Sequence, residues 1–255
     1  MKLSCKPGLL KLLTLTGGVL GLLLYRTLYQ NGMDENGLLI SGYWANTALW
    51  ILTGLMAAAL LVLTRSLRGP EEYRDAHPAS VPGGISALAL AAAIAIATVK
   101  ELSADSMLHL FCGVLGFGAA VSLVCIGICR MAGGKPLFLC HAIVCGCFAV
   151  RMVSQYQVWS SDPQVQDYAF CLGAYALLML TAYQQAAFEV DMGSHRALWG
   201  VSLGAVYLCC VALPGTADFW LLLAAGFWVF ANLTSLTVRR SRPVLNLEDE
   251  PQEEV

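Results

Sequence analysis

Arg151 closes an almost unbroken apolar run from Leu137 to Val150, and two carboxylates, Asp162 and Asp167, follow it closely. A guanidinium in that position has two uses. It can anchor an anion, or it can pair with a carboxylate through charge-assisted hydrogen bonds and tie two segments together. If the apolar run crosses a bilayer, the helix must continue past Arg151, which places the charge about 8 Å inside the boundary. A charge there is costly unless it snorkels or pairs. Asp162 and Asp167 are the expected partners, and Asp167 is the better one. Ser160-Ser161-Asp162-Pro163 reads as a helix start with Asp162 as the cap, which occupies its carboxylate. The functional reading is a polar pocket with Arg151 as its anchor. The plainer reading is snorkelling and capping, with Tyr156 and Trp159 as an interfacial aromatic belt.

Just beyond lies a polar stripe. Asp167, Cys171, Ala174, Leu178, Thr181, Gln185 and Glu189 recur at spacings of three and four, so on a helix they share one face. Tyr168, Tyr175 and Tyr183 flank it, and Gln184 lies beside Gln185. Polar residues in a span face the bundle or a water-filled cavity, so this face is expected to look inward. It could line a ligand site or supply hydrogen bonds between helices. The candidate ligand-binding residues are therefore Arg151, Asp162, Asp167, Tyr168, Tyr175, Thr181 and Gln185.

Metal chemistry has weaker support. His141 lies among Cys140, Cys145 and Cys147. Cys145 and Cys147 point about 200° apart on a helix and cannot share an ion. His141 and Cys145 could, but zinc usually takes four ligands, and the others would have to come from His109 or Cys112. No metal and no cofactor is expected. The ten cysteines include no C-x-x-C pair, and most sit in apolar runs, where a thiol behaves as a small hydrophobe. H-E-x-x-H, P-loop and G-x-G-x-x-G patterns are absent. Gly193-Ser194-His195 puts a serine next to a histidine, but adjacency in sequence is not triad geometry. His77 lies in a long loop with no partner motif. No catalytic residue is assigned.

The elements that must position these residues follow from composition. The chain is 58% hydrophobic and 13% charged over 255 residues, with a mean hydropathy of +0.66. Soluble domains carry about 25% charged residues, so this chain is too poor in charge to cover a soluble surface. No basic stripe supports nucleic-acid binding. Eight segments suit a span of about 20 residues: Leu9–Tyr29, Tyr43–Thr64, Ile85–Val99 (short, extended at both ends), Leu108–Cys129, Leu137–Gln157, Asp167–Phe188, Leu198–Val211 and Phe219–Val238. Barrel strands alternate apolar and polar residues, whereas the Ile85–Val99 segment is apolar on every face. The expected fold is all-α, a polytopic membrane bundle of about eight helices over residues 1–238, with a disordered tail at 239–255. The leucine-rich first segment runs into Leu24-Tyr25-Arg26 rather than a small-residue cleavage site, so it reads as a retained helix.

Lys and Arg set the expected orientation. Twelve of the 15 fall on one side of the alternating spans, and only Arg26, Lys100 and Arg151 on the other. The positive-inside rule then puts both termini in the cytoplasm, with the protein in the cell membrane. Breaker clusters mark the turns, among them Gly133-Gly134-Lys135-Pro136 and Pro214-Gly215. Gly17 and Gly21 form a G-x-x-x-G pair. Gly113, Gly116, Gly118, Ala119 and Ala120 make a smooth patch, so the third and fourth helices are expected to form a tight, central pair. The two halves of the chain do not align as an inverted repeat. The leading functional expectation is a small-solute transporter or a membrane-embedded substrate-binding subunit. The alternative is a sensor or scaffold binding another membrane protein, and an intramembrane enzyme ranks last. The expected partners are the lipid bilayer and either a small solute or another membrane protein.

Overall fold

The computed structural model describes residues 7–33, 39–40, 42–65, 67, 69, 73–102, 107–159, 165–216 and 218–236. Eight long helices dominate: α1 (Pro7–Asn31), α2 (Trp44–Thr64), α3 (Val81–Glu101), α4 (Met107–Ala132), α5 (Phe138–Trp159), α6 (Val165–Glu189), α7 (His195–Ala212) and α8 (Phe219–Ser235). A one-turn helix, Tyr73–Ala76, lies in the loop before α3. Among the described residues the one β feature is an isolated bridge between Met33 and Leu39. The chain is an all-helical membrane bundle.

Length and composition alone qualify six helices to cross a membrane: α1, α2, α3, α4, α5 and α7. The other two depart for different reasons. α8 is apolar but has 17 residues, about 25 Å of rise. α6 has 25 residues, and its polar stripe lowers its hydropathy. Local chemistry sets the helix ends. Ser80 caps α3 by accepting from the Gly83 amide at 3.1 Å, with Pro82 in the first turn. Thus α3 does extend beyond Ile85–Val99 at both ends. Gly133, at φ 71°, ends α4 in the left-handed conformation that glycine tolerates.

Six helices close into a ring. α3 packs on α4, α4 on α5, α5 on α6, α6 on α7, α7 on α8, and α8 returns to α3. α1 and α2 pack outside the ring, against α7. Gly17 and Gly21 seat α1: a Cβ at Gly17 would meet Met56 Sδ of α2 at 2.8 Å, and one at Gly21 would meet Val211 Cγ2 of α7 at 2.6 Å. Successive helices run in opposite directions, which places the start of α5 beside the end of α6 and the end of α5 beside the ends of α3 and the start of α8.

α3 and α4 form the most extensive helix pair. A Cβ on Gly84 would lie 2.8 Å from the Gly127 carbonyl, so the backbones touch. The expectation that this pair is central is corrected. α7 has 61% of its span buried, against 44% for α3 and 50% for α4. α3 and α4 turn Ile96, Val114 and Val121 outward. Small residues set how closely two helices approach, not how many neighbours surround them. Other outward apolar side chains, such as Leu55, Leu61 and Val62, suit a lipid surrounding.

Candidate functional site

The ring holds two buried polar clusters, one at each end. On α5, His141, Val144, Cys147, Phe148, Arg151 and Ser154 are buried at spacings of three and four, so one face of this helix serves both ends. Arg151 and His141 are about 15 Å apart along it. Between the clusters the ring helices bury apolar side chains, including Phe148, Leu178, Leu90, Ile94 and Val229.

At the first end, Arg151 is 1% exposed and faces the bundle. Its Nη2 lies 2.9 Å from Glu101 Oε1, and its Nη1 lies 3.7 Å from Asp218 Oδ2. The carboxylates found on it therefore come from the end of α3 and the start of α8. Asp162 lies outside the described residues, as does the side chain of Asp167, so the expected pairing with those two and the Asp162 cap both fall there. Asp218 is the hub of the cluster. Its Oδ2 also accepts from Tyr175 Oη at 2.6 Å and from Gln155 Nε2 at 3.1 Å. Asp218 stands at the N-cap of α8 yet makes no capping hydrogen bond with its side chain. An aspartate at that position ordinarily accepts from the helix amides; this one is turned into the ring instead. Arginine is always protonated, so one positive charge stands between two carboxylates.

A cavity of about 310 Å³ opens over this cluster. Its polar lining comes from Lys100, Glu101, His109, Ser154, Gln155 and Asp218. Ile96 and Trp220 form part of the apolar wall and are themselves 64% and 74% exposed, so the cavity borders the outer face of the bundle. Glu101 Oε2 and His109 Nδ1 are buried without a hydrogen-bond partner. That volume is within the range of small-molecule sites, which pair an apolar wall with a few polar groups.

At the second end, His141 Nδ1 lies 2.7 Å from Glu189 Oε1, with both side chains buried. Trp228 stacks over His141. Arg130, 3% exposed, donates from Nη2 to Ser235 Oγ at 2.7 Å. The loop after α2 folds in over this end and buries Tyr73, Ala76 and His77. Tyr73 and His77 stack at 4.7 Å, and His77 meets Phe188 edge-on. Burial pushes the Tyr73 hydroxyl up to about 12, helped by Glu189 and opposed by Arg130. Burial, and after it the Arg130 charge, holds the His77 imidazole well below the usual histidine range.

The predicted set is thus divided. Arg151 and Tyr175 meet at the first end. Tyr168 is half-buried near the start of α6 and is not among the cavity's lining residues. Thr181 and Gln185 are buried further along α6, and the Thr181 hydroxyl donates to the Leu177 carbonyl within its own helix. The stripe on α6 does face inward: Cys171, Ala174, Leu178, Thr181, Gln185 and Glu189 are all buried. Sequence reasoning missed Glu101, Asp218, Gln155 and Arg130. The alternation of spans already put Glu101 and Asp218 at the same end as Arg151, which is the signal that could have found them. Among the described residues no group of three or more His, Cys, Asp and Glu side chains could hold a metal ion. The chain matches no protein-family profile, no curated protein and no solved structure.

Proposed function

We propose that this protein binds a small solute carrying an ammonium group in the cavity above Arg151, as a transporter or as the membrane-embedded binding subunit of one. The observation that carries this reading is the unpartnered carboxylate oxygen of Glu101 at the cavity. One guanidinium faces two carboxylates at 2.9 and 3.7 Å, and the second oxygen of Glu101 is buried without a partner beside the opening. Lys100 also lines the cavity, so Lys100 and Arg151 balance Glu101 and Asp218; an ammonium is favoured because it can donate to the free Glu101 Oε2. Burying ionisable groups inside a membrane bundle is costly, and such groups mark solute or ion pathways by default. The orientation follows from charge: Lys11, Arg130, Lys135 and Arg196 lie at the His141 end, so that end faces the cytoplasm and the cavity opens on the opposite side.

The test uses the full-length protein in nanodiscs. Thermal-shift and calorimetric titrations against small amines, amino acids, carboxylates and inorganic phosphate are expected to select amine-bearing compounds. Glu101→Gln is expected to abolish that binding without changing the fold. Uptake of the selected compound into proteoliposomes then separates a carrier from a binding subunit. Preference for anions, or amine binding that persists in Glu101→Gln, would defeat the reading.

A further inference from the structure

The second polar cluster carries its own inference, independent of the cavity above Arg151. A buried ion pair that serves only to hold helices together normally has its remaining donors and acceptors satisfied. The His141–Glu189 pair does not. His141 Nε2 and Glu189 Oε2 are both buried without a hydrogen-bond partner. The same is true of Arg130 Nε and Nη1, His77 Nδ1 and His195 Nδ1 around them. With Glu189 ionised its carboxylate only accepts, so the 2.7 Å contact then places the proton on His141 Nδ1. The neutral ring then presents Nε2 as a bare base.

We infer that the His141–Glu189 pair is a proton-binding site. Loading adds one proton from the aqueous phase to His141 Nε2, turning imidazole into imidazolium while Glu189 stays ionised. No bond other than the new N–H forms, and no electron moves. The charges around the site permit both states. α4 brings Arg130, with Cys125 and Cys129 further off; α5 brings Cys140 beside His141. α7 brings His195, whose Nε2 accepts from Trp199 Nε1 at 3.0 Å. α8 presents the neutral Trp228 and Asn232. The loop brings the stacked pair Tyr73 and His77. With Arg130 positive, Glu189 negative and His141 neutral, the cluster carries no net charge; loading makes it +1. His77 and His195 both meet the Phe188 ring edge-on, so two further imidazoles stand near the cluster. A metal ion is a poor occupant because the cluster lacks three suitably placed ligands among the described residues.

The experiment is nitrogen NMR of histidine-labelled protein in nanodiscs, with proton uptake measured by a pH dye after an acid jump. The sequence has 4 histidines, so assignment by substitution is practical. The sample is titrated from about pH 5 to about pH 8, and one imidazole is expected to change protonation state across that range. That signal is expected to vanish in His141→Gln, which takes up one proton fewer in the dye assay, and to move in Glu189→Gln. Glu101→Gln is expected to leave it unchanged. Should His141→Gln fail to fold, the wild-type titration and Glu189→Gln keep the test complete. A His141 ring that holds one protonation state across that range overturns the proposal. So does a shift produced by inorganic phosphate and abolished by Arg130→Gln, which would make the cluster an anion site.

Discussion

The two ends of the ring solve the same problem with different chemistry. At the Arg151 end a permanently charged guanidinium is matched by two carboxylates, and Tyr175 and Gln155 complete the hub on Asp218. That end opens into a cavity. At the His141 end the groups are mostly titratable, and a loop folds over them. The difference shows that burying a charge in a bundle does not fix its role. Where the charge is permanent, the structure must hold a counter-charge at all times. Where the charge is optional, the group can shed it, and neutralisation limits the cost of burial.

The comparison breaks first at Arg151. Arg151→Ala leaves two carboxylates facing one another in the ring and is expected to cost about 3–5 kcal/mol. This would appear as a large fall in unfolding temperature, or in the yield of folded protein, in detergent. Arg26→Ala, at an exposed position on α1, is expected to stay within about 0.5 kcal/mol of wild type. Equal effects would remove the pair from any structural role. Glu189→Gln keeps a hydrogen-bonding oxygen near His141 and is expected to cost only about 1 kcal/mol. A loss as large as that of Arg151→Ala would erase the distinction between the two ends.

Tyr175→Phe sharpens the account of the Asp218 hub. It removes a 2.6 Å hydrogen bond to a carboxylate without changing ring packing, and is expected to cost about 1.5–3 kcal/mol. Chemical unfolding in detergent measures it, and an unchanged midpoint would show that Asp218 does not rely on this donor.

The closed wall of the ring is tested at Gly84, where an added Cβ meets the Gly127 carbonyl at 2.8 Å. Gly84→Ala is expected to destabilise by about 1–3 kcal/mol. Gly54→Ala, in open space on α2, is expected to stabilise by about 0.5–1 kcal/mol through helix propensity. Thermal unfolding of the two variants side by side checks both signs.

The smallest effect concerns pH at the His141 end. Burial keeps His77 neutral in the folded protein, whereas the unfolded chain protonates it below about pH 6.5. The unfolded state binds the extra proton, so this contribution is full above about pH 6.5. It is lost as the pH falls towards the folded value, at up to about 1.4 kcal/mol per pH unit. His77→Phe keeps the stack on Tyr73 and cannot titrate. Its unfolding temperature is expected to fall less than that of wild type between about pH 7 and about pH 5. Identical pH profiles would show that His77 is not the group responsible.

The sequence by itself determined the class of the fold, the helix count, the alternation of helix directions and the inward face of α6. Each rests on a local signal: apolar runs long enough to span, breaker clusters between them, and polar residues at helical spacing. It also determined that Arg151 must be matched, because the cost of a charge depends on depth along its own helix. Tertiary structure alone decided what matches it. Glu101 and Asp218 are 50 and 67 positions from Arg151 in the chain, and they reach it because α3 and α8 are neighbours that close the ring. The same closure brings His141 to Glu189 and Arg130 to Ser235. Hydropathy is blind to that closure, because lipid and protein interior are equally apolar. Which helix stands beside which is decided by side-chain shape and by pairing across the ring, and neither is written in any one segment.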